Sequence, residues 1–110
     1  MEEYELLEMV LRPEAVGEVL ELLDVSGLEP VSVSNVEGVG RQKGHTEIFR
    51  GREYKIETRP KVRIEVLVKD PEVREGLLEK IREVVYTGHV GDGKIFVFRV
   101  ESPTPAGLST

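Results

Sequence analysis

The stretch "KVRIEVLVKDPEVREGLLEKIREVVY" constrains the fold most, because its hydrophobic period changes once and at a defined place. Apolar residues first alternate through Val62, Ile64, Val66 and Val68, the spacing of a strand over residues 61 to 69. Asp70 then suits a helix N-cap with Pro71 in the first turn, and Val73, Leu77, Ile81, Val84 and Val85 recur on one helical face. A similar switch opens the chain. "YELLEMVLR" (4 to 12) is strand-like, and Pro13 with Glu14 begins "PEAVGEVLELLDVSG", where Val16, Val19, Leu20 and Leu23 share a helical face ending near Gly27.

Two further strands complete the pattern. "PVSVSNVEG" (30 to 38) alternates through Val31 and Val33 before Asn35 and Val36 break the phase, and "KIFVFRV" (94 to 100) closes the series. The order β-α-β-β-α-β is the ferredoxin-like arrangement, which predicts an α+β fold: a four-stranded antiparallel sheet with two helices on one face. A long loop then joins the second and third strands. Both parities are apolar in three strands, with Leu7, Met9 and Leu11 beside Leu6 and Val10, Val66 beside Leu67, and Ile95 and Val97 beside Phe96 and Phe98. Two helices cover only one face, so the other is expected to be buried against further copies of the chain.

A length of 110 residues fits one domain, and 39% hydrophobic with 33% charged residues fits a soluble protein. No apolar run approaches the roughly 18 residues of a spanning helix, and "MEEYELLEMV" opens with acids where a signal peptide needs cations. A cytoplasmic protein without direct membrane insertion is expected; zero cysteines exclude disulfides and thiolate metal sites. The net charge is −6, yet between Arg41 and Arg59 six basic residues face three acids. A cationic segment on an acidic body suits a small anion or an acidic partner patch, and lacks the broad basic face of a nucleic-acid binder.

That cationic segment lies in "GVGRQKGHTEIFRGREYK" (38 to 55), which has neither period and reads as a functional loop or a floppy insertion. Two stretches are glycine-rich, "EGVGRQKG" (37 to 44) and "TGHVGDGK" (87 to 94). Consecutive peptide N–H groups in such stretches can form a nest for phosphate, with Lys94 adding a charge, although Gly88, Gly91 and Gly93 equally suit a helix stop and a tight turn. The spacing is not that of a Walker A loop. His45 and His89 have neither a third triad member nor metal-ligand spacing, which argues against an enzyme.

"GRQKGHTEIFRGREY" (40 to 54) and "TGHVGDGKIFVFRV" (87 to 100) resemble the two signature regions of the nitrogen-regulatory PII signal-transduction proteins. The resemblance extends from "MVLRPEAVGEVLELL" through the last strand. It implies a non-enzymatic homotrimer that binds ATP or ADP in clefts between subunits and senses nitrogen and energy status. Residues 1–101 would form the PII-like domain, with a projecting T-loop at 38–58, a B-loop at 87–94 and a disordered tail at 102–110. By the same resemblance Gly38, Gly40, Arg41, Gln42 and Lys43 lie beside the nucleotide, and Val10 and Ser32 near the adenine. Gly88, Val90, Gly91, Asp92, Gly93 and Lys94 surround the phosphates.

Gln42 matches a ligand of the Mg²⁺ that accompanies 2-oxoglutarate, while Lys61, with Lys43, matches residues binding the 2-oxoglutarate itself. The resemblance also implies T-loop contacts with an ammonium transporter or an enzyme of nitrogen assimilation, hence recruitment to the membrane through a transporter. Arg50 lies at the loop tip, and Tyr54 occupies the position that many relatives uridylylate. Phe49 and Arg52 depart from the usual pattern around that tyrosine, and the tail "ESPTPAGLST" lacks the paired arginines and "RTGEE" pattern of relatives. The departure in the tail implies weaker ATP binding or altered nucleotide preference. It also leaves open a divergent PII-shaped binding or scaffold protein with another effector or no nucleotide.

Overall fold

The computed structural model describes the backbone of residues 3–49 and 52–107, with side chains over 4–40 and 57–107. Strand β1 (Glu3–Leu11) leads through a 3-10 turn (Pro13–Ala15) into helix α1 (Val16–Val25). Strands β2 (Pro30–Phe49) and β3 (Arg52–Val68) follow, then helix α2 (Pro71–Val85) and strand β4 (Gly93–Glu101). The strands form one antiparallel sheet in the order β2-β3-β1-β4, the ferredoxin-like arrangement expected from the periodicities.

Local chemistry explains the helix boundaries. The Asp70 carboxylate accepts a hydrogen bond from the Glu72 N–H at 2.9 Å and Pro71 fills the first turn, so α2 starts where its N-cap is supplied. α1 ends in a Schellman motif: Leu28 N–H donates to the Leu23 carbonyl, Gly27 N–H donates to that of Asp24, and Gly27 supplies the left-handed turn at φ 74°.

Period two in the strands sets the core. Leu7, Met9 and Leu11 of β1 stand beside Val66, Ile64 and Val62 of β3, and all face the helices. Val19 and Leu23 of α1, with Leu77, Leu78, Ile81 and Val85 of α2, close the layer, and no charged side chain is buried among the described residues. The opposite face is half-exposed and mixed. Register puts Leu67, Leu6 and Phe98 in one cross-strand row, Glu65, Glu8 and Phe96 in the next, then Arg63, Val10 and Lys94. The Phe96 and Phe98 rings lie 6.5 Å apart and each residue is 45% exposed.

Two expectations change in detail. The segment between the second and third strands is a ribbon rather than an open loop along most of its length, with Gly38 paired to Arg59, Gly40 to Glu57 and Gln42 to Lys55. A ribbon held by backbone pairing needs no hydrophobic alternation, so periodicity could not detect it. The ribbon lengthens the molecule to 51 × 30 × 22 Å and raises the radius of gyration to 17.0 Å, against about 13 Å for a compact chain of similar length. Backbone pairing of β2 also continues regularly through Asn35 and Val36, where the hydrophobic alternation breaks; its register shifts lie between Pro30 and Ser32 and between Lys43 and Ile48. Residues 102–107 form neither helix nor strand, and among the described residues no helix is long and apolar enough to cross a membrane.

Candidate effector site at the ribbon base

Three distant segments meet where the ribbon leaves the sheet. Lys61 of β3 stretches along the helix-free side and donates from Nζ to the Gly91 carbonyl at 2.6 Å. Its stem crosses Gly38 of β2 so closely that a Cβ there would stand 2.7 Å from the lysine Cγ. Glycine at 38 therefore clears the path by which the ribbon base reaches the glycine loop. A cavity of about 240 Å³ opens beside Lys61, lined by Pro13, Asn35, Val36, Glu37 and Pro60.

The glycine loop, residues 86–92, is closed by its own side chains. Thr87 donates to the Asp92 carboxylate through its N–H at 2.8 Å and again through its hydroxyl, while His89 N–H donates to the Thr87 hydroxyl oxygen at 3.2 Å. These Thr87 hydrogen bonds, aided by the nearby Arg12 guanidinium, hold the Asp92 carboxyl below its ordinary pKa. Gly88, Gly91 and Gly93 all have positive φ. At Gly93 the need is absolute in packing terms, since a Cβ would collide with the Val10 carbonyl oxygen where β4 joins β1. Val90 stands fully exposed and Lys94 is exposed at the start of β4.

The expected adenine residues share the helix-free face. Val10 is paired with both Arg63 and Lys94, and the Ser32 hydroxyl donates to Glu65 Oε1 at 2.5 Å. Glu8 lies 3.7 Å from the Arg63 guanidinium on the same face. Val10, Ser32, Lys61 and Lys94 thus belong to one surface, and Gly38 and Gly91 meet it through Lys61. Asp92, expected at the phosphates, directs its carboxylate into the loop itself. Arg41, Gln42, Lys43 and Tyr54 have paired backbones, while their side chains lie outside the described residues, as does Arg50 entirely.

Sequence reasoning missed Arg12, Thr87 and Glu65. Thr87 and Asp92 flank Gly88 and Gly91 five positions apart, a signal available in the sequence. Arg12 had no local signal, because its hydrogen-bond acceptor, the Val85 carbonyl, is 73 residues away.

Comparison with known proteins agrees with the fold. The family model "Nitrogen regulatory protein P-II" matches residues 4–104. The nitrogen regulatory protein P-II of Mesorhizobium japonicum is 47% identical over 95 residues, covering 86% of this chain and 84% of that one. That of Rhizobium meliloti is 46% identical with the same coverage. Among solved structures, Bacillus subtilis GlnK superimposes with a TM-score of 0.73 at 33% identity, over 89% of this chain and 85% of that one. A B. subtilis GlnK-ATP complex gives 0.72 at 32% identity, over 89% and 84%. With a family match spanning both strand-helix units and the glycine loop, the chain belongs to the nitrogen regulatory protein P-II family, whose members are signal transducers rather than enzymes.

Proposed function

We propose that this chain forms a homotrimer, binds ATP or ADP in the clefts between subunits, and signals nitrogen and energy status through the ribbon of residues 38–58. One observation carries the reading: Lys61 links the ribbon base to the glycine loop through the Gly91 carbonyl. A ligand that engages either segment therefore acts on the other. The ATP complex of B. subtilis GlnK, a protein of the same fold, supports adenine nucleotide as that ligand.

In this proposal the peptide N–H groups of Gly88, Val90, Gly91 and Gly93 and the Lys94 ammonium receive the phosphates, with Val10 and Ser32 near the adenine. Gln42 is the one side chain proposed to hold Mg²⁺, which prefers phosphate and water oxygens to a cage of protein groups. When bound there, the ion would supply charge neutralisation for the anionic ligands, so that each would improve the site for the other. Lys43 and Lys61 pair with the 2-oxoglutarate carboxylates. The Lys61 ammonium has three donors and spends one on the Gly91 carbonyl, so a carboxylate that engages it acts directly on the tether of the ribbon base. Couplings of this kind are worth about 1–3 kcal/mol, enough to shift which ribbon conformation meets a partner.

The apolar row of Leu6, Leu67 and Phe98 supports burial of the helix-free face between subunits. The proposed partners are an ammonium transporter, which would bring the protein to the membrane, or an enzyme of nitrogen assimilation, and Tyr54 is the proposed modification site. Titration calorimetry with Mg²⁺ and ATP, repeated with 2-oxoglutarate and with ADP, tests the scheme. Tightening of ATP by 2-oxoglutarate is expected. Absence of heat with both nucleotides would overturn the nucleotide reading and leave a P-II body with another effector.

A further inference from the structure

We propose that Arg12 is a positioning residue for the glycine loop, its guanidinium bridging the C-terminal end of α2 and Asp92 so that residues 86–92 keep an anion-receiving shape. The ligand part of this inference rests on the nucleotide reading above; the positioning part does not.

Arg12 leaves the end of β1 with a side chain only 26% exposed. Its Nη2 donates to the carbonyl of Val85, the last residue of α2, at 3.1 Å. Its Nε lies 3.6 Å from Asp92 Oδ1, and Nη1 lies 3.6 Å from Glu14 Oε2. One planar group therefore meets both the last turn of α2, where carbonyls lack helical partners and favour a cation, and the carboxylate closing the loop. Both ends of the loop are tied to Arg12, the residue that follows β1. The loop also carries an acid where an anion is to bind. Asp92 alone would repel phosphate, and the Arg12 charge beside it offsets that repulsion while Thr87 occupies the carboxylate oxygens. A lysine at this position would keep the charge but not the fork.

The test combines amide hydrogen exchange with binding of Mg-ATP and of adenosine, which lacks phosphate. In Arg12→Gln, exchange at the Thr87 and His89 amides should rise by about tenfold while the β1 and β3 amides keep their protection. Mg-ATP should bind about tenfold more weakly, with adenosine unchanged and Arg12→Lys recovering only part of the loss. Unchanged exchange at Thr87 and His89 would overturn the positioning role. Equal losses for adenosine and Mg-ATP would overturn the phosphate-specific part, as would unchanged Mg-ATP affinity. Should wild type bind no Mg-ATP while exchange still rises, the nucleotide reading fails and the positioning role stands. If Arg12→Gln does not fold, Arg12→Lys and Asp92→Asn carry the same exchange measurement from the two sides of the contact.

Discussion

The two faces of the sheet come from the same strands and differ in what completes them. On the helix side Leu7, Met9, Leu11, Ile64 and Val66 are wholly buried within one chain. On the other side Leu6 and Leu67 are only partly covered, Phe96 and Phe98 are 45% exposed, and Glu8, Arg63 and Glu65 interrupt the apolar rows. The first face finishes a fold. The second has apolar area to bury and charges that set how it can be covered, as expected of a surface that meets a further chain.

The most disruptive way to probe this difference is Ile64→Ala on the covered face. Removing buried methylenes there should cost about 2–5 kcal/mol, read as a lower midpoint in chemical denaturation. Phe98→Asp on the other face should instead spare far-UV circular dichroism and cost the assembly about 2 kcal/mol or more, converting an oligomer to monomers in light scattering. Equal losses of fold from both substitutions would erase the distinction between the faces, and a monomeric wild type would remove the partner chain from it. Smaller still is Asp70→Ala. It deletes the N-cap of α2 at the rim of the covered side and should cost about 1 kcal/mol without altering assembly.

The mildest effect separates the sheet faces from the glycine loop. The folded pKa of Asp92 is depressed, so its contribution is fully present above the ordinary carboxylate value and is lost as pH falls through the depressed one. The Thr87 amide shift should therefore titrate with a midpoint below 3.8. A midpoint at or above that value would mean that the Thr87 and Arg12 contacts do not persist in solution.

How much was legible follows from the range of each interaction. Alternation through Val62, Ile64, Val66 and Val68 and the cap at Asp70 are local, and the structure has the strand and the helix there. The ribbon was not legible as strands, because its pairing is made by backbone groups whose side chains carry no two-residue hydrophobic pattern. Gly38 and the glycine loop drew attention as glycine clusters. What each glycine does depended on contacts such as Lys61 with Gly91, 30 residues apart.

The amino-acid sequence by itself determined the element order, the start of α2 and the existence of two unlike sheet faces. Each follows from nearest neighbours along the chain: side-chain period, capping chemistry and proline geometry. Only the tertiary structure decided that Lys61 tethers the ribbon base and that Arg12 spans two elements to reach Asp92. Those outcomes depend on sheet register and on the line a side chain can take between packed elements, and neither is a property of any local stretch of residues.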